Sequence, residues 1–339
     1  MRALLTEEQQ MLGGVVSELA HSIGIANPAD LESVDRDRGW SEIAQVGLLG
    51  LRLRDGGQPG ATGVEVMIMA EKLAERLAPQ PYLGGAILPG ELLALAEAPA
   101  PVQGRVADGA SRGCVLLRSD LAALAAPPFD GAVAWDCAGA DFALGVDVAE
   151  GALSLHPVTS FDPVEAADLT RTVAEVVVGP AQETWHLAEE ALERWHALAL
   201  VGLSADTVGA MRGALAGVVA YTKERFQFGV PIGSFQAVQH ICADALVMVE
   251  GTASTVKYAA WAVDELPSGE ALLAARVAKA YSAGVAQEVG EAVMQVYGGM
   301  GQTWDNIAHF YLRRQMLSTH VLGDEGAQLE MIARARLGS

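Results

Sequence analysis

The sequence is poor in cysteine, in basic side chains and in aromatics, and each scarcity removes a class of function. Only Cys114, Cys137 and Cys242 occur in 339 residues. The number is odd and no CxxC is present, so neither a disulfide framework nor a zinc cluster is expected, and a reducing, cytoplasmic setting is the default. Three isolated free thiols are expected as small core residues. Lys and Arg total 22 against 42 Asp and Glu, a formal net charge of −20. Such a chain repels phosphate backbones, so no nucleic-acid partner is expected, and a nucleotide or CoA ligand would need a local basic site. The opening MRALLTEEQQ has no apolar h-region, which argues against a signal peptide. No uninterrupted apolar run reaches the roughly 18–20 residues of a membrane span, so no membrane association is expected. His240 and His320 lack neighbouring ligands at metal spacing, so no metal site is expected. G-x-S-x-G is missing, as is strand–helix alternation, which argues against a hydrolase elbow and a Rossmann unit.

What is present is a core-forming composition, 51% hydrophobic and 19% charged. The length allows two or three domains at roughly 150 residues each. Three zones predict a mainly α fold with a small central β domain: a helical domain over 1–98, a β domain over 99–180 and a helical bundle over 181–339. Thr6 followed by Glu7 and Glu8 is an expected helix start, and Val64–Leu77 is an expected second helix. Short apolar runs at Cys114–Leu117, Gly131–Trp135, Phe142–Val146 and Ala174–Val178, separated by Gly, Pro and Asp, predict strands. Long Ala-rich segments over Glu183–Leu203, Ala205–Phe226, Phe235–Leu266, Glu270–Val296 and Ile307–Arg336 predict four or five bundle helices with short connections.

Two motifs carry chemical information. Arg225 to Gln239 (RFQFGVPIGSFQAVQ) reads as a helix ending in a basic residue, a Gly/Pro turn, and a new helix capped by Ser234. It gathers a guanidinium, an amide side chain and an aromatic. The planar fork of Arg suits a pyrophosphate, although an Arg at a helix end beside a turn is equally an ordinary terminus. Gln295 to Gly301 (QVYGGMG) places three glycines where a backbone can approach a ligand or stop a helix.

Together these motifs resemble the acyl-CoA dehydrogenase family, whose C-terminal bundle carries R-x-Q-F-G-x-P-I-x-x-F-Q-x-x-Q followed by Q-x-x-G-G-x-G. The segments from Gly39-Trp40 to Gly56-Gly57 and from Asp136 to Phe142 resemble its first-domain and β-domain signatures. The resemblance implies a helical domain, a barrel-like β domain and a C-terminal four-helix bundle. It also implies FAD as cofactor, an acyl-CoA thioester as substrate and an electron-transfer flavoprotein as acceptor. In this family each FAD is shared between subunits. By position, Arg225, Gln227, Phe228, Gln236 and Gln295, with the backbone of Gly298 and Gly299, would grip the adenosine diphosphate end of a partner's FAD.

The family's chemistry needs a carboxylate to remove the α-proton of the thioester. A gap-free count places Leu322-Gly323-Asp324 where Glu-Gly-Thr stands in many members. The alternative position, on the helix before the Arg motif, falls at Ala199. Neither carries an acid, so no catalytic residue is assigned. Asp206, Asp324 and Glu325 are the nearby carboxylates, and their bland reading is helix-end or loop charge. The flavin-binding Gly-Ser-Asp run of the β domain is also missing, with Leu116 to Asp120 (LLRSD) in its place, and Trp135 is either a flavin contact or core. This pattern resembles the small subunits of α2β2 acyl-CoA dehydrogenases of actinobacterial steroid catabolism, in which two unlike chains complete one site. The alternatives are a self-sufficient homo-oligomer with a relocated carboxylate and a non-enzymatic scaffold subunit. Arg313-Arg314 reads as an ion-paired surface or a phosphate contact.

Overall fold

The computed structural model describes residues 4–55 and 57–338. Gly56, half of the expected Gly-Gly turn, lies outside them. The first layer is helical: α1 (Glu7–Ile23), α2 (Asp30–Ser33), α3 (Arg36–Gln45), α4 (Gly63–Glu75), α5 (Leu88–Leu95) and α6 (Ala100–Ala107). Two capping boxes start its main helices. The Thr6 side chain accepts from the Gln9 amide while Gln9 returns to the Thr6 amide, and Thr62 and Glu65 are paired likewise at α4. A π-helical turn, Leu83–Ile87, runs straight into α5. A short hairpin of β1 (Arg54–Asp55) and β2 (Gln58–Pro59) leads into α4.

The middle of the chain forms one six-stranded sheet from β3 (Gly113–Val115), β4 (Val133–Trp135), β5 (Phe142–Asp147), β6 (Ala152–Val164), β7 (Val173–Val178) and β8 (Glu183–His186). The order is β3-β5-β6-β7-β4, with β8 also on β6; only the β3–β5 pairing is parallel. Strand β6 was not expected. It is 13 residues long and broken by Pro157 and Pro163, which by composition demotes a strand. It survives because a register shift between Val158 and Ser160 hands its first half to β5 and β8 and its second half to β7.

The bundle consists of α7 (Glu189–Glu224), α8 (Gln236–Glu265), α9 (Ser268–Tyr297), α10 (Ala308–His320) and α11 (Glu325–Leu337), with a second hairpin, β9 (Phe226–Gln227) and β10 (Val230–Pro231), between α7 and α8. Three expectations are corrected here. Glu183–His186 is strand rather than helix, because it completes the edge of β6. The two expected helices Glu183–Leu203 and Ala205–Phe226 are one 36-residue helix, since Ser204 returns its hydroxyl to the Leu200 carbonyl and stays inside the helix. The expected helix Ile307–Arg336 is two, split where Leu322 and Gly323 take φ of 58° and 97°. Helix α7 is the one helix among the described residues long and apolar enough to cross a bilayer, and its apolar window is buried within the fold. Cys114 and Cys137 lie in the β-domain core and Cys242 is half-buried.

Candidate functional site

Helix α7 ends at Glu224, and Arg225 turns the chain into extended backbone. The hairpin β9–β10 then reverses through Phe228 (φ 54°) and Gly229 (φ 81°), a two-residue turn with both centres left-handed. Gly suits that geometry; a bulky aromatic does not. Phe228 nevertheless occupies it, 93% exposed, with its ring edge-on to Phe235 at 6.2 Å. Among the described residues the Arg225 guanidinium makes no ion pair and no hydrogen bond. Gln227 donates to the Phe226 carbonyl at 2.8 Å. Ser234 does not cap α8 as expected. It belongs to a single 3-10 turn, Ile232–Ser234, and donates to the Pro231 carbonyl at 2.7 Å; Phe235 takes the cap position without a side-chain bond. Gln236 opens α8 and is exposed.

The glycine motif ends α9. Gln295 is exposed in the last turn, and Gly298 adopts φ 61°, ψ −145°, a region open essentially to glycine alone. A Cβ at Gly298 or Gly299 would meet nothing within 4 Å, so neither glycine is needed to pack the fold; both leave bare backbone open to an incoming group. Gly301 differs: it is buried, and its Cβ would lie 2.8 Å from Tyr297 Cβ. Tyr221, one turn before Arg225, lies 4.8 Å from Tyr297, the residue before Gly298. The two motifs therefore share one end of the bundle. An unpaired cation, exposed aromatics, exposed amide side chains and bare backbone in one place fit an anionic, aromatic dinucleotide.

The two positions considered for a base are both buried. Ala199 is fully buried in α7, and Leu322 is buried, its amide donating to the Leu121 carbonyl at 2.9 Å. Leu322, and Leu200 beside Ala199 in the chain, line a cavity of 270 Å³ together with His196, Ala122, Ala123 and Arg276 among others. Leu121, at φ 59°, is itself buried. The β-domain loop that lacks the expected Gly-Ser-Asp run is thus folded against the Leu322 turn. Asp324 is exposed and occupied as the N-cap of α11, accepting from the Ala327 amide at 2.9 Å. Glu325 is exposed in the first turn. Trp135 is core, with the Arg171 guanidinium 4.9 Å over its ring.

Asp206 and Arg314 are not the surface charges expected of them. Asp206 is fully buried in mid-α7 and accepts from Arg171 (2.6 Å), Arg314 (2.7 Å), Tyr82 (3.0 Å) and Ser318 (2.8 Å). Burial raises its pKa, but the two guanidinium groups and the hydrogen bonds outweigh that and hold it well below the ordinary carboxylate range. Arg171 also pairs with Asp136, whose carboxylate accepts from the Leu83 and Gly84 amides. This network joins all three layers of the fold. One signal for it was legible: Asp206 is the lone acid in a long apolar run. Lys279 was missed altogether. It is fully buried, donates to the Ser318 carbonyl, and burial pushes its pKa down to about 7. Arg313 remains at the surface, its guanidinium 5.8 Å from the Trp304 ring.

Residues 189–337 match the model of the acyl-CoA dehydrogenase C-terminal domain. The chain is 30% identical over 324 residues to the acyl-CoA dehydrogenase IpdE2 of Mycobacterium tuberculosis, covering 93% of both chains. It is also 30% identical over 384 residues to the acyl-CoA dehydrogenase FadE34 of the same organism, covering all of this chain but only 50% of FadE34. A solved structure of the Tcur3481-Tcur3483 steroid ACAD G363A variant superposes with a TM-score of 0.82 at 25% identity over 98% of each chain. The chain belongs to the acyl-CoA dehydrogenase family, which uses FAD.

Proposed function

We propose that this chain is the partner-type subunit of a heteromeric acyl-CoA dehydrogenase, supplying the adenosine-diphosphate-binding half of a shared FAD site and no catalytic base. The observation that carries the proposal is the asymmetry between two ends of one structure. Where the Arg and Gly motifs meet, a guanidinium, an aromatic and bare backbone are exposed and unused by the fold. Where a base would stand, the chain has Leu322 and Ala199, both buried, and the cavity that Leu322 lines is too small for a flavin ring and a thioester together. The similarity to the two-component Tcur3481-Tcur3483 steroid ACAD supports an unlike partner and a bulky, steroid-derived acyl-CoA.

FAD, when bound, would accept the hydride that leaves the β-carbon, and electrons would pass on to an electron-transfer flavoprotein. This chain's own part is binding. Arg225 neutralises the pyrophosphate, Phe228 and Phe235 pack on the adenosine, and Gln227, Gln236 and Gln295 donate amide hydrogens at its rim. Gly298 and Gly299 let backbone approach without a side chain in the way. Buried, solvent-shielded carboxylates make good bases for α-protons. Asp324 and Glu325 are exposed instead, and Asp324 is already committed to a helix cap, so neither suits the role.

The test is the flavin-to-protein ratio, measured by absorbance on the chain alone and on the co-expressed heteromer. A colourless single chain and a complex with about one FAD per unlike pair is the expected result. A yellow homo-oligomer that reduces an electron acceptor with an acyl-CoA would establish the self-sufficient enzyme instead. Absence of flavin from every complex would leave the scaffold reading.

A further inference from the structure

The cavity between α7, the Leu322 turn and the 121–123 loop is not merely what a missing site leaves behind. We propose that it binds a short hydroxycarboxylate, held by the Arg276 guanidinium and the His196 imidazole. The residues lining it are chemically uneven. Arg276 projects from α9 and is half-buried, yet among the described residues it has no ion pair; its one hydrogen bond is from Nη1 to Gln328 Oε1 at 3.1 Å. In a chain of net charge −20, a half-buried guanidinium with no carboxylate in direct contact is out of keeping with its surroundings. Its remaining N–H groups are neither bonded nor sealed from solvent. Of the acids nearby, Glu193 acts on Arg276 only through space, its Oε2 accepting from the Ser268 hydroxyl at 2.6 Å, and Glu330, at the cavity mouth, pairs with Arg334.

His196 supplies the second point. Its Nδ1 lies 3.1 Å from the Leu192 carbonyl, and since a carbonyl only accepts, Nδ1 carries the proton. Nε2 is then an acceptor with no protein partner. Burial and the neighbouring Arg276 cation keep the ring neutral by lowering its pKa to about 4. The cavity therefore offers a fork of donors for a carboxylate and, nearby, a single acceptor for a hydroxyl, between the apolar walls of Leu200 and Leu322. A volume of 270 Å³ admits a small acid and excludes an acyl-CoA. Gln328 links the ligand to the fold: its Oε1 accepts from Arg276, while its Nε2 donates to the Leu322 carbonyl at 2.7 Å. A carboxylate on Arg276 would be read by the Leu322 turn. None of this depends on flavin binding.

The experiment is calorimetric titration of the full-length chain with lactate and with propionate, without flavin or acyl-CoA. Lactate should bind at least about ten-fold more tightly than propionate, the value of one well-placed polar contact in a buried site. Arg276→Gln should lose binding of both, and His196→Phe should erase the preference while leaving propionate unchanged. If either variant fails to fold, Ala123→Leu, which fills the cavity wall, should abolish binding in a chain whose unfolding midpoint is otherwise normal. No heat with either acid, or equal lactate binding in wild type and Arg276→Gln or Ala123→Leu, would overturn the proposal.

Discussion

Phe228 states the residue-scale problem most directly. A mirror-image two-residue turn favours Asn-Gly, and a Phe in its first position stores strain, of order 1–3 kcal/mol, that the fold does not repay by burying the ring. Strain kept at an exposed position suggests use. Phe228→Asn is expected to raise thermal stability slightly while weakening flavin retention in the complex, read by unfolding midpoint and by flavin absorbance on the same samples. Arg225→Ala should loosen FAD on the order of ten- to a hundred-fold, the worth of a charged hydrogen-bonding group. Asp324→Ala should leave FAD in place and cost about 1 kcal/mol of stability through loss of the α11 cap. If Asp324→Ala instead abolished turnover in a complex with normal flavin content, the cap assignment would be incomplete and Asp324 would be the base.

At the scale of elements, the helices are fixed to one another by buried charge rather than by apolar packing alone. Arg52 is held bidentate by Glu91 at 2.9 Å and reaches Asp264 at 3.0 Å, tying the first layer to α8. Asp206 ties α7 to α10 and to the β7 approach. Removing one partner of such a network leaves others uncompensated, so Asp206→Asn should cost about 3–5 kcal/mol, measured by denaturant unfolding. The pH dependence has a definite sign. Because the folded-state pKa of Asp206 is depressed, its stabilisation is complete above the ordinary carboxylate value and is lost as pH falls through the acid range below it. Lys279 acts at the other end of the scale. Its folded pKa, about 7, lies below the ordinary lysine value, so the unfolded chain binds more protons between them, and stability rises as pH increases from about 7 toward 10. Lys279→Met should flatten that rise; an unchanged slope would mean that Lys279 stays charged when buried. Close helix packing is equally specific. A Cβ at Gly209 would lie 2.1 Å from the Glu71 carbonyl, so α4 and α7 approach each other there through bare backbone.

For the whole molecule, the proposed function turns on what a second chain would add. The exposed aromatics and Arg225 gather at one end of the bundle, and the first half of α8 exposes Leu246 and Val247. Such apolar surface rarely stays open in a solitary soluble chain. Analytical ultracentrifugation should show this chain as a stable assembly only with its unlike partner, and flavin should co-sediment with that assembly.

Much of this was legible in the sequence. Thr6 marks a helix start because capping is a bargain among a few adjacent residues. The Arg and Gly motifs, and the lack of an acid at 199 and 322, are facts of local order that no tertiary context can alter. The mainly α architecture with a central sheet likewise follows from periodicity and from the family's motifs. What only the tertiary structure decided is which distant residues meet. Strand β6 exists because β5, β7 and β8 satisfy its backbone despite two prolines, and Glu183–His186 is strand because that edge needed a neighbour. Asp206, Arg171, Arg314 and Tyr82 find each other across all three layers, and His196 and Arg276 share a cavity although they lie on different helices. A charge in a sequence is only a charge; whether it is solvated, buried or left without a partner depends on the dielectric and the neighbours that folding supplies.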